Sequence, residues 1–391
     1  MTREQHVQEI LKLPNESLLL ELPTSFGKSK VAIELIRKYA RTDVLIVVPR
    51  LVLIKNWMDE LKKWKFDRKV KITTYKSLDK HCGVWDVVIF DECQHYTERC
   101  QEIIDEGYHI DHAIGLSATV PFEIKMRLAD SFPQMKSYKV TAKEAIDEEI
   151  LPDPKVFLLK LYLDNTYRNQ QIILNPKKGN PLVVDYPNRW GHLKDKSRMI
   201  IINCTPIEYY LYVSQKSDWI KKQYFMTNQA YQKNQWLFQS GNRLKWLSAQ
   251  KNDIVKQILE ILDNYRTLTF CSDIKQTEIL GQFCINSKND HSEELLQGFN
   301  DEKIDHITAC NMLNEGINLR NCQVGIYANL NSSQVIVKQR LGRILRHQDP
   351  MIVIPYFYGT RDAELVENMM KDYNPELVTE VTDIEKLKKL I

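Results

Sequence analysis

Between an apolar run, Leu18–Leu22, and an amphipathic segment beginning at Ser29 lies Leu22-Pro23-Thr24-Ser25-Phe26-Gly27-Lys28-Ser29. A strand, a loop with glycine, lysine and serine in that order, and then a helix suit phosphate binding. Backbone N–H groups at the helix start face the anion, and the helix dipole favours it. Thr24, Ser25, Phe26 and Gly27 would form the cradle, Lys28 would reach the outer phosphates, and the Ser29 hydroxyl would ligate Mg²⁺. The fit to GxxxxGK[ST] is incomplete: Leu22 takes the place of the first glycine, and Ser25 stands where glycine is common. If Ser25 adopts a positive φ, the loop carries strain. A plain turn capped by Ser29 ahead of a helix is the alternative.

Asp91-Glu92 directly follows the apolar run Val87–Phe90. Carboxylates at the C-terminal end of a parallel strand lie where α/β sheets bind ligands. Asp91 would hold Mg²⁺ and Glu92 would polarise an attacking water; a solvated strand-end turn is the alternative. Ser117-Ala118-Thr119 ends another apolar run downstream. In the second half, Gln339, Arg343 and Arg346 recur at i, i+4 and i+7 and share a helical face, while Val337, Leu341 and Leu345 turn away from it. Two guanidinium groups on an anchored helix can reach a γ-phosphate held by a separate lobe. A solvated basic face is the competing reading. Gly342 within this helix is unfavourable by about 1 kcal/mol relative to Ala, which a close backbone approach would explain.

These residues need rigid supports. Val44–Val48, Val87–Phe90 and Ala113–Leu116 are short continuous apolar runs, as expected of strands buried on both faces. Val31, Ala32, Leu35, Ile36 and Tyr39 form one helical stripe; Ile54, Trp57, Met58, Leu61 and Trp64 form another. Strand–helix alternation predicts an α/β fold with a parallel sheet over residues 1–150. The plan returns over 251–391, with Leu268–Cys271, Ile304–Ala309, Val324–Ala328 and Ile352–Phe357 as strands. The middle, 151–250, opens on Pro152 and Pro154, and reads as an insertion. In it Gln171–Leu174 and Leu182–Val184 are expected to pair as a hairpin, with helices over Tyr209–Trp246. Lys177, Lys178, Arg189, Trp190, Lys194, Lys196 and Arg198 make a basic cluster there, followed by Trp219, Trp236 and Trp246. Solvated lysines and core tryptophans compete with a nucleic-acid contact.

Bulk properties narrow the class. The chain has 391 residues, 43% hydrophobic and 27% charged, which predicts two or three packed domains rather than a disordered or fibrous chain. A net charge of +3 is too small to imply a polyanionic partner by itself, so that case rests on local sites. The most apolar stretch, Val44–Ile54, is interrupted by Pro49-Arg50 and is too short to span a bilayer. Eight cysteines without a CxxC pair disfavour zinc and suit a reducing, cytoplasmic compartment.

In this order the segments resemble a superfamily 2 helicase or translocase. LPTSFGKS is similar to motif I, in the form found in phage UvsW-type helicases. VVPRLVLIKNWMDELKKW resembles motif Ia, with a Swi/Snf-like ending, and ITTYKSL (Ile72–Leu78) resembles motif Ib. DECQ is similar to a DExx box and LSAT to motif III. TFCSD, NEGINL and QRLGRILRH resemble motifs IV, V and VI. The resemblance implies two RecA-like lobes with ATP and Mg²⁺ between them, and nucleic acid, expected to be DNA, across both. It implies that Lys28, Ser29, Asp91 and Glu92 act from the first lobe, and that Gln339, Arg343 and Arg346 act from the second. Ser117 and Thr119 would couple hydrolysis to closure, and Gly316 and Asn318 would touch nucleotide and strand. Pro49, Arg50, Thr73 and Thr74 would grip the phosphate backbone. Gln5 stands at about the distance of an adenine-reading glutamine, with Gln8 competing. Gln94 in the DExx box and Asn318 in motif V depart from the commonest forms. The expected protein is a monomeric motor in the cytoplasm of a bacterium or phage-infected host, working with replication or repair partners. An ATP-gated clamp, or the motor subunit of a nuclease assembly, are the other readings.

Overall fold

The computed structural model describes residues 1–391 except 15, 41, 187–197, 311–318, 332 and 372, and the backbone alone at 334–336, 338 and 339. The first lobe is a six-stranded sheet built from β1 (Leu18–Glu21), β2 (Val44–Val48), β3 (Val70–Thr74), β4 (Gly83–Asp91), β5 (Tyr108–Ser117) and β6 (Lys136–Lys139). Its order is β3-β2-β4-β5-β1-β6, and every pairing is parallel. β1 and β2 are buried at every position, because helices cover both faces and leave no strand side for water. β5 alone separates β1 from β4, and all three run parallel, so the loops after them open at the same end of the sheet.

The second lobe repeats this architecture in seven strands. β7 (Lys155–Leu161), β11 (Thr267–Phe270), β12 (Cys284–Ile285), β13 (His306–Ala309), β14 (Val324–Ile326), β15 (Met351–Phe357) and β16 (Val378–Val381) run in the order β12-β13-β11-β14-β15-β7-β16, again all parallel. The expectation that 151–250 is one insertion is therefore corrected at its start. Lys155–Leu161 is an inner strand of the second sheet, zipped along its whole length to β15. Its KVFLLKL pattern supplies the apolar faces such a position requires.

The rest of the middle segment is a small sheet and two long helices. β8 (Gln170–Leu174) and β9 (Leu182–Asp185) do not pair as a hairpin. β10 (Ile200–Cys204) lies between them, antiparallel to β8 and parallel to β9. The physical reason is burial: Ile200, Ile202 and Cys204 join Ile172 in a compact apolar cluster, and the most apolar strand takes the centre. The helices Pro206–Thr227 and Ala230–Ala249 form an antiparallel arm, turned at Asn228 in the left-handed region. A capping box of Thr205 and Glu208 starts it. Within the helix Val52–Lys63, Leu53 and Trp57 are buried and Ile54 and Leu61 pack against the core, as does Trp64 just beyond it, so of the expected stripe Met58 is the residue left exposed.

Candidate active site

Gly27, at φ 102°, caps the helix Lys28–Tyr39 without a side-chain acceptor, so the first-turn N–H groups of that helix are left for a ligand. The loop behind it is held by Leu22 N–H donating to the Ser117 carbonyl at 2.9 Å and by Phe26, fully buried beneath the loop. Ser25 does take a positive φ, 72°. A serine there bears strain that glycine would avoid.

Lys28 Nζ lies 3.4 Å from Glu92 Oε1. Glu92, itself at φ 48°, ends the β4 segment with its other carboxylate oxygen accepting from Gln94 Nε2 at 3.0 Å. The Gln94 Oε1 accepts from the Ser117 hydroxyl at 2.7 Å, and that hydroxyl accepts from Thr119 N–H at 3.1 Å. A continuous polar path thus joins the lysine, the acidic pair and the Ser117–Thr119 turn. Asp91 is oriented by Trp57, whose indole N–H donates to Oδ2 at 2.8 Å, and by Glu92 N–H on Oδ1 at 3.1 Å. Desolvation, reinforced by the neighbouring Glu92 charge, pushes the Asp91 carboxyl up to about 6.

The second lobe closes over this loop. The Ser25 hydroxyl donates to the Gly342 carbonyl at 2.7 Å and accepts from Arg346 Nε at 3.1 Å. A Cβ on Gly342 would lie 2.0 Å from the Thr24 Cβ, so the close approach expected of that glycine is present. The helix ends at Ile344, and Arg346 reaches Ser25 from the turn beyond it. A cleft of about 980 Å³ results, lined by Thr24 to Ser29, Trp57, Asp91 and Glu92 from one side and by Arg343, Arg346 and Arg320 from the other. That volume accommodates a nucleoside triphosphate.

Other expected residues are placed as follows. Gln5 is engaged in the N-cap of the first helix, its Oε1 accepting from Thr2 N–H at 2.7 Å, while Gln8 lines the cleft with Arg3 and Val7. The competing glutamine is thus the one at the site. Pro49 and Arg50 follow β2, and Thr73 and Thr74 end β3 beside it, so the four share one sheet edge. Arg50 is exposed, but Thr73 and Thr74 are buried. Gly316 and Asn318 lie outside the described residues, as do the Gln339 side chain and Arg189, Trp190, Lys194 and Lys196. Sequence alone gives Trp57 and Arg320 no place at the site, and marks Gln94 as a departure within the DExx box without assigning it a partner. Trp57 reads as core by periodicity, and only its spatial neighbour reveals its second use.

The residues fit Mg²⁺: Ser29 and Asp91 offer a hydroxyl and a carboxylate in one cleft, the oxygen-only, few-ligand set that suits this ion when phosphates complete its shell. Among the described residues no helix is long and apolar enough to cross a membrane.

Comparison with known proteins agrees with this geometry. Residues 250–348 match the helicase conserved C-terminal domain, and residues 3–81 match the type III restriction enzyme res subunit. The chain is 23% identical to the DNA 3'-5' translocase XPB2 of Sulfurisphaera tokodaii, over 89% of this chain and 79% of that one. S. cerevisiae Dbp5 bound to RNA and ADP BeF3 superposes with a TM-score of 0.61 at 10% identity, covering 99% of this chain and 91% of that one. The Pyrococcus furiosus Hef helicase domain gives 0.50 at 13% identity, covering 93% and 97%. With two all-parallel lobes and a phosphate loop facing an arginine helix, these family matches and the translocase relative support a superfamily 2 helicase or translocase, a class whose members hydrolyse ATP, and the solved structures share the fold.

Proposed function

We propose that this chain is an ATP-driven motor on DNA. The observation that carries the reading is the single cleft in which Lys28, Asp91 and Glu92 face Arg343 and Arg346 from the other lobe. In it Lys28 would bind the β- and γ-phosphates, and Glu92 would orient and polarise the attacking water. Arg343 and Arg346 would stabilise charge on the transferred phosphoryl group. Ser29 and Asp91 would hold Mg²⁺, which when bound neutralises phosphate charge. Loss of the γ-phosphate removes the arginines' anionic partner, so closure weakens after hydrolysis. The path through Gln94 to Ser117 and Thr119 would carry that change to the lobe boundary. Pro49 and Arg50 would contact backbone phosphates; Thr73 and Thr74, being buried, would support that edge. DNA is supported by the XPB2 relative.

The test is hydrolysis of ATP with and without single-stranded, duplex and forked DNA and RNA. Lys28→Ala should abolish hydrolysis, and Glu92→Gln should retain ATP without turnover. Wild-type rates in both variants would sink the assignment. The UvsW-like loop favours strand separation and the Swi/Snf-like motif Ia favours duplex tracking. Strand-displacement and triplex-displacement assays run side by side separate them. A motor subunit of a restriction assembly is a second reading, favoured by the match at residues 3–81.

A further inference from the structure

We infer that the helical arm Pro206–Ala249 is a nucleic-acid contact in its own right, one that stacks on the bases of an unpaired strand; this deepens the motor reading and rests on it. Its composition is the first argument. From Trp219 to Ala249 there is no Asp or Glu, although the chain carries 51 among 391 residues, a frequency that would place about four in such a stretch. Lys221, Lys222, Lys233, Arg243 and Lys245 are the ionised residues of that span. With Glu208 and Asp218 both lying ahead of Trp219 in its first helix, the arm is cationic toward its tip and along its second helix, a surface that favours a polyanion and repels a second copy of itself.

Exposure is the second argument. Trp219, Phe225, Tyr231 and Phe238 are 63%, 68%, 69% and 65% exposed, a concentration of aromatic rings in water that a solitary helical hairpin does not need. Tyr224 and Trp236 stack beneath them at 6.1 Å between ring centres, and Lys221 sits 5.5 Å over the Trp236 ring, so the rings are presented from a firm base. Flat rings interleaved with cations, and with Gln and Asn, are the chemistry that holds unpaired bases regardless of sequence.

The third argument is mechanical. The root of the arm is built into the second lobe. The Ser248 hydroxyl lies 2.9 Å from the Ala328 carbonyl, and Gln276 Nε2 donates to the Ser248 carbonyl at 2.9 Å. Lys251 and Asp362 form an ion pair of 2.8 Å that excludes water, and Arg361 N–H donates to the Tyr210 hydroxyl at 2.7 Å. A strand held by the arm would therefore travel with that lobe at each closure.

The experiment compares the full chain with Phe225→Ser, Phe238→Ser and the double variant, positions exposed enough to leave folding intact. The probe is fluorescent oligo-dT, alongside a blunt duplex. Expected are unchanged ATP hydrolysis without DNA, a roughly tenfold loss of oligo-dT affinity per ring removed, and a smaller loss on duplex. Unchanged oligo-dT affinity, or a defect in self-association or in binding to anionic vesicles instead, overturns the inference. If the parent chain shows no DNA-stimulated hydrolysis at all, it is the motor reading that fails. A stimulated parent with an unaffected double variant sinks the arm alone.

Discussion

The Ser25 hydroxyl donates to the Gly342 carbonyl at 2.7 Å, fastening the phosphate loop of one lobe to the arginine helix of the other. Arg346 Nε completes the clasp on the same oxygen. A residue that breaks the usual glycine pattern is thus retained at a positive φ and employed in joining the lobes.

Ser25→Gly should separate these two effects. Backbone strain of roughly 1 kcal/mol is relieved, while the clasp is lost. Apparent ATP affinity is expected to fall several-fold with little change in melting temperature. An unchanged KM for ATP would show that the clasp has no part in closure.

Gly342→Ala inserts a methyl into the Thr24 contact. With 2.0 Å between the two Cβ positions, the lobes must move apart. Hydrolysis should drop by at least tenfold while circular dichroism stays native, and adding Thr24→Gly should restore part of it. Full activity in the single variant would mean that the closed arrangement is not needed for turnover.

Trp57→Phe keeps the packing and removes the hydrogen bond to Asp91. A bond to a charged acceptor contributes about 1.5–3 kcal/mol. The Mg²⁺ concentration for half-maximal hydrolysis should rise several-fold, with kcat at saturating Mg²⁺ largely kept. A fall in kcat alone would assign Trp57 a different task.

Asp91→Asn should stabilise the protein while abolishing its activity. The folded carboxyl is raised from 3.8 to about 6, by desolvation first and by Glu92 second. Its contribution to stability is therefore complete below pH 3.8 and is lost as pH rises through about 6. Above that, the ionised form weighs against folding by an amount on the order of 1–3 kcal/mol. The variant should melt a few degrees higher at pH 8 and show no advantage near pH 4. Equal gains at both pH values would rule out the carboxylate as the cause.

Much of this was readable from residue order. Continuous apolar runs announced the inner strands, since a strand covered on both faces has no polar alternation to show. Ser25 and Gly342 were visible as anomalies, and each marks a place where backbones meet. What escaped was pairing at a distance. Lys155–Leu161 joins β15 almost two hundred residues later, and nothing local reveals that. β10 displaced the expected hairpin because a central position rewards the most apolar strand, a comparison made only once all three are folded. Gln8, rather than Gln5, lines the cleft, and the Gln5 amide is held in the N-cap of its own helix.

Because β7 belongs to the second sheet, the described strands pass from one large sheet to the other once, just ahead of Lys155. Severed between Pro152 and Pro154, the molecule yields two fragments, each carrying every strand of its own sheet. Whether they find one another again would then depend on ATP and on the packing of Thr24 and Ser25 against the arginine helix, making this protein a natural starting point for a split, nucleotide-assembled enzyme.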